Sequence, residues 1–265
     1  MNYIFSMILL ALSFAVQAGQ PLKVSSFTSS DTDGSYKAGA SINITATIND
    51  DVVGGSDLRV LLDTGIYIDL TNSVDGPELV GLYTVGADEN SADLNVSSFS
   101  LGVDGVVAVD DGTVMNDIDL PKHDNLADNN NLIVDNTAPT ISSFTSTTSD
   151  GSYKSGDTIN ITANMDEAIQ SGNTLTVTLD TNDTVLLIAA SAGTTLTGTY
   201  TVGSGDNSSD LTVSSFTIGT VKDTAGNTMT STTVPGTNIA SGSAIVVDTT
   251  APNITSSSTD SVNEN

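Results

Sequence analysis

Five short blocks of this sequence occur twice, in the same order and at one spacing. Val24-Ser-Ser-Phe-Thr-Ser returns as Ile141-Ser-Ser-Phe-Thr-Ser, and Asp33-Gly-Ser-Tyr-Lys-Ala-Gly as Asp150-Gly-Ser-Tyr-Lys-Ser-Gly. Ile42-Asn-Ile-Thr-Ala, Tyr83-Thr-Val-Gly and Val96-Ser-Ser-Phe return at Ile159, Tyr200 and Val213. Every pair keeps the offset of 117 residues that separates Val24 from Ile141. A closing segment, Ile133-Val-Asp-Asn-Thr-Ala-Pro, returns as Val246-Val-Asp-Thr-Thr-Ala-Pro at the shorter offset of 113, from Asp135 to Asp248. The first copy therefore carries about four extra residues within the polar stretch 116–131. A segment repeated in this way is a folding unit, and its period must be read before anything else.

The division that follows is a first repeat over 20–136, a second over 137–249, and a linker with the start of a third over 250–265. Asn253-Ile-Thr-Ser restarts the pattern like Thr140-Ile-Ser-Ser. Ahead of the repeats, residues 1–18 read as a secretory signal peptide. Ile4 to Val16 is a short apolar run and Val16-Gln17-Ala18 a small-residue cleavage site, although Met1-Asn2-Tyr3 has no Lys or Arg. The expected location is secreted, on the extracellular cell surface.

Within the second repeat, period-2 alternation marks short strands. Ile159, Ile161, Ala163 and Met165 fall on one face, as do Leu175, Val177 and Leu179. Seven strands are expected, over 141–146, 158–165, 175–180, 184–189, 196–202, 211–218 and 244–248. Turn clusters such as Ser149-Asp-Gly and Thr224-Ala-Gly-Asn separate them. Seven short strands in roughly 110 residues suit an immunoglobulin-like sandwich. The fold class expected is all-β: two tandem immunoglobulin-like β-sandwich domains, about seven strands each, after the signal peptide. Tyr83 and Tyr200 are expected to form a corner that hydrogen-bonds the backbone.

Composition limits the chemistry. Six Lys and Arg face 32 Asp and Glu, a net charge of −26, so nucleic acid and anionic membrane are repelled and divalent cations attracted. With no Cys, disulfides, thiol catalysis and structural zinc are absent. The one histidine, His123, lies in a polar stretch without the partners that a catalytic triad or zinc site needs. No enzymatic activity is expected.

The segments around Asp150-Gly-Ser-Tyr-Lys-Ser-Gly-Asp-Thr-Ile-Asn-Ile-Thr, Val221-Lys-Asp-Thr-Ala-Gly-Asn and Val247-Asp-Thr-Thr-Ala-Pro resemble the bacterial Ig-like repeats of large secreted adhesins and surface proteins. The resemblance covers nearly all of 20–254. It implies a spacer that extends an adhesive tip, with neighbouring repeats of the same chain as partners and calcium stiffening the joints, as in cadherin arrays. Two alternatives stand beside it. One is a module binding carbohydrate, a host surface or another polymer; the other is an accessory region of a larger secreted enzyme.

Strand direction gives an independent argument for where calcium would sit. In a sandwich the linker, the loop after the second strand and the start of the connection after the sixth lie at one end. For the second repeat these are Asp135 and Asn136, Asp166 and Glu167, and Asp223 and Asn227, an oxygen-rich set suited to calcium. The first repeat offers Asp50, Asp51, Asp110 and Asp111, but its leader Gln20-Pro-Leu-Lys has no acid, so a weak site or none is expected there. The competing reading of all these acids is that Asp is simply a turn former.

Overall fold

A computed structural model of the chain describes residues 20–254; the signal peptide and most of the expected third-repeat start lie outside the described residues. Contacts divide the chain into two compact units. One holds residues up to 34 and 38–134; the other holds 35–37 and 135 onward. The division thus falls between Val134 and Asp135, and Asp135 and Asn136 belong with the second unit.

The protein is nearly all β, built as two β-sandwiches. In the first half of the chain the strands are β1 (Val24–Thr28), β2 (Gly34–Tyr36), β3 (Ser41–Val52), β4 (Asp57–Leu62), β5 (Tyr67–Thr71), β6 (Gly76–Thr84), β7 (Val96–Leu101) and β8 (Leu132–Val134), with one helical turn, α1 (Leu126–Asn129). In the second they are β9 (Ile141–Thr145), β10 (Gly151–Tyr153), β11 (Thr158–Ile169), β12 (Thr174–Leu179), β13 (Thr184–Ile188), β14 (Gly193–Thr201), β15 (Asn207–Ser208), β16 (Val213–Thr220) and β17 (Ile245–Asp248). Each of the seven strands expected in the second repeat is present; β10 and β15 were not foreseen.

Each unit has one six-stranded antiparallel sheet, β1-β3-β6-β5-β4-β7 in the first and β16-β12-β13-β14-β11-β9 in the second. The sheet folds over at its middle. β13 and β14 share a single register pair, Ile188 with Thr197, so β9-β11-β14 and β13-β12-β16 become two facing layers. The first unit turns the same corner at Thr71 and Val80. Alternate side chains then fill one core. In the second unit Ile159, Ile161 and Ala163 of β11 meet Leu175, Val177 and Leu179 of β12, all without solvent exposure. Phe144 on β9 meets Phe216 on β16 edge-to-face, with ring centroids 5.9 Å apart. Phe27 and Phe99 make the same contact at 5.7 Å in the first unit. With no Trp and no disulfide, these aliphatics and paired rings carry the core. β17 closes the second sandwich, parallel to β10 and antiparallel to β15.

The recurring Val/Ile-Ser-Ser-Phe block explains itself in this frame. Its two apolar residues are three apart, which a regular strand would send to opposite faces. Both are buried, because the first serine is an extra residue in each ladder. β9 pairs Ile141 with Met165 and Ser143 with Asn164, leaving Ser142 as a bulge. Ser25, Ser97 and Ser214 are skipped in the same way. The Ser142 hydroxyl donates to the Asn164 carbonyl, and the Ser25 hydroxyl to the Thr47 carbonyl, so the bulge costs no unpaired group on that side.

A second repeated device links the two layers. The Asn238 side chain accepts from the Val213 N–H at 3.0 Å and donates to the Val213 carbonyl at 2.8 Å, while the neighbouring Thr237 carbonyl takes the Phe144 N–H. One peptide therefore caps the edges of both β16 and β9. In the first unit Asn125 donates to the Val96 carbonyl and the Asp124 carbonyl takes the Phe27 N–H. Each Asn also caps a short helical turn through a reciprocal capping box.

Candidate metal centre

β9, β12, β13, β14 and β16 contain no charged side chain at all. In a chain of net charge −26 this leaves the second unit's acids to its turns and strand ends. Three of them converge. Carboxylate oxygens of Asp135, Glu167 and Asp223 all lie within 4.8 Å of one another, the one such group of acids among the described residues. Two oxygens bound to one calcium lie at most about 5 Å apart, so the spacing fits a shared calcium.

Local structure delivers each residue. Asp135 directly follows β8, and its own side chain accepts the Thr137 N–H at 2.9 Å, an Asx turn that opens the linker. Glu167 was expected in a loop. It lies instead inside β11, where the ladder with β14 breaks between Asn164 and Ile169. That bulge turns Glu167 toward the end of the sandwich instead of along the sheet face. Asp223 pairs with Ile169 through an isolated bridge and is fully buried. Its Oδ1 accepts the N–H groups of Gly226 (2.6 Å) and Asn227 (2.8 Å), and its Oδ2 accepts from the Asn227 amide at 2.8 Å. Gly226 has φ +93°, the left-handed value that lets the chain wrap so tightly around this carboxylate.

The three acids act on one another. Burial first, and then the charges of Asp135, Asp223 and Asp166, push Glu167 from 4.5 up to about 7. Glu167 makes no hydrogen bond among the described residues. Its carboxyl is relieved at neutral pH by a proton or by a cation.

The other expected ligands divide. Asn227 is at the centre, and its amide also donates to the Asp135 carbonyl at 2.8 Å, tying the linker to the turn. Asn136 lies beside Asp135, half-buried. Asp166 does not join the group. It is exposed, and its two oxygens accept the Thr140 N–H and hydroxyl, each at 2.7 Å. Asn49 holds the equivalent place in the first unit and accepts the Lys23 N–H at 2.9 Å. This position ties the first strand to the second, and that structural duty takes the carboxylate away from the Asp135–Glu167–Asp223 group.

The first unit has no matching cluster among the described residues. Asp50 accepts from the N–H of Asp51. Asp111 accepts from the N–H of Thr113, and hydrogen bonds from Thr113 hold its exposed carboxyl below the usual range. His123 is exposed.

At the other end of each sandwich the tyrosine corner differs from expectation. The Tyr83 hydroxyl donates to the Glu89 carboxylate and the Tyr200 hydroxyl to the Asp206 carboxylate, not to backbone. Each carboxylate also takes a backbone N–H, of Gly86 or Gly203, and so passes the anchor on to the chain. Burial pushes both phenols well above their ordinary value, so the hydroxyls remain donors.

Among the described residues no helix is long and apolar enough to cross a membrane. No known family model and no curated protein sequence matches this chain.

Proposed function

We propose that this chain is a structural spacer segment of a secreted bacterial cell-surface adhesin, made of Ig-like repeats and stiffened by calcium at the connection between them. One observation carries the reading. Carboxylates from three separate segments, one of them fully buried, meet at the residue that leads into the second sandwich. Turn formation accounts for Asp223 and for Asp135 singly. It does not account for three like charges brought together with Glu167 raised to about 7. A calcium ion held by Asp135, Glu167 and Asp223, with Asn136 and Asn227 at its rim, removes that repulsion and fixes the linker residue Asp135 to the second unit. Flexible motion of the linker is then lost, which suits a stalk and serves no catalytic purpose.

Calorimetric titration of residues 20–252 with calcium tests this. One site is expected, together with a rise in the melting temperature of the second unit. Joint replacement of Asp135 and Glu167 by Ala is expected to remove it. A wild-type protein that takes up no heat and melts at the same temperature with calcium as with a chelator overturns the reading.

A further inference from the structure

The second unit includes residues 35–37. The Tyr36 carbonyl accepts the Asp135 N–H at 2.9 Å, and the Lys37 ammonium donates to the Gly226 carbonyl at 2.8 Å. The lysine stem also runs along Gly226. A Cβ built there would stand in ordinary contact, 3.4 Å from Nζ and 3.7 Å from Cε, so the φ of +93°, not the space, is what calls for glycine.

The peptide that Lys37 meets is a particular one. Its carbonyl, from Gly226, takes the ammonium; its N–H, from Asn227, goes to Asp223 Oδ1 at 2.8 Å. A single peptide group is thus held between a positive and a negative charge, and both hydrogen bonds are strengthened by its polarisation. Lys37 is one of six basic side chains set against 32 acids.

We propose that Lys37 is a positioning residue for the Asp135–Glu167–Asp223 group, acting on the buried Asp223 through the Gly226–Asn227 peptide. The proposal rests on the reading of that group as a cation site, and it makes a claim that simple electrostatics contradicts. A lysine that were only a nearby positive charge would oppose a bound cation, so its removal would tighten calcium binding. A lysine that holds the turn in its binding form weakens binding when removed. Outer partners of metal ligands are commonly worth at least tenfold in affinity.

The experiment compares wild type with Lys37→Met, Lys37→Arg and, as an internal control, Lys154→Met, which falls at the same place in the repeated Asp-Gly-Ser-Tyr-Lys block. Calcium affinity by titration is expected to fall about tenfold in Lys37→Met. It should hold largely in Lys37→Arg, which keeps charge and donor, and stay unchanged in Lys154→Met. Amide hydrogen exchange in chelator supplies a readout independent of metal: the Asn227 N–H is expected to lose protection in Lys37→Met alone. Tighter binding in Lys37→Met, or unchanged affinity and protection, overturns the proposal. A wild type that binds no calcium, yet whose Asn227 amide loses protection in Lys37→Met, sinks the cation reading and leaves the contact of Lys37 with the turn standing.

Discussion

At the end of β3 the first unit bridges Val52 to Ala108; at the end of β11 the second bridges Ile169 to Asp223. Both positions are buried, at 3% and 0% exposure, and both open a turn that returns to a buried methionine, Met115 or Met229. The turns differ in length by one residue. The Ala108 N–H donates to the carbonyl of Thr113, five residues on, whereas the Asp223 N–H donates to the carbonyl of Asn227, four residues on. The shorter turn wraps its backbone N–H groups around a carboxylate; the longer one has only a methyl group to enclose. One frame thus offers a hydrophobic plug in one unit and a buried carboxylate in the other. The difference lies in the turn as much as in the side chain.

The sharpest way to break the comparison is to move the acid without its turn. Ala108→Asp buries a carboxylate where no N–H groups converge on it. An uncompensated buried charge costs about 3–5 kcal/mol. The first unit is expected to melt far earlier, and calorimetry should show no calcium site gained. A stable first unit that binds calcium would show that the side chain alone makes the site.

The reverse exchange, Asp223→Ala, removes three hydrogen bonds from the turn of the second unit. Stranding their donors costs about 1–3 kcal/mol in chemical denaturation. Calcium binding is expected to vanish, since the remaining two acids have no buried partner. Retained affinity would place the cation elsewhere.

The third test uses protons. Glu167 rises from 4.5 to about 7 in the folded unit. Between those values the folded chain keeps a proton that the unfolded chain has released. By linkage, stability without calcium falls as pH rises through this window and levels off above about 7. Saturating calcium displaces the proton and reverses the slope. Melting curves from pH 4.5 to 8, with chelator and with calcium, are expected to diverge in this way. Glu167→Gln should flatten the chelator series; a slope that survives it belongs to another group.

Much of this was open to sequence reading because repetition and alternation are local signals. The strand faces followed from Ile159, Ile161 and Ala163, and the meeting of Asp135, Glu167 and Asp223 from strand direction alone. What escaped is not periodic. The bulges at Ser25 and Ser142 show only in the ladder, since Ser-Ser looks like any polar pair. Asn125-Leu-Ala-Asp and Asn238-Ile-Ala-Ser recur at the offset of 113, and that repeat was the available signal for the device that caps both layers. Asp166 and Glu167 are adjacent acids that look alike in a string. On a strand they point to opposite sides, and here only one of the pair reaches the group.

Asp166 gives the smallest expected effect and the finest test of the comparison. Asp166→Asn copies Asn49, whose amide already performs the same tie to the first strand. The Asn oxygen can keep the Thr140 N–H, and the Thr140 hydroxyl can rotate to accept from the new amide. Stability should therefore change by less than about 0.5 kcal/mol. The residue still adds one negative charge near Glu167, the weakest of the three that raise it. Its loss is expected to lower calcium affinity by about twofold at low salt and by nothing measurable at high salt, where exposed charges are screened. A ligand lost from the coordination shell would cost far more and would not fade with salt. A large, salt-independent drop in titration would return Asp166 to the metal and remove the structural role that Asn49 suggests for it.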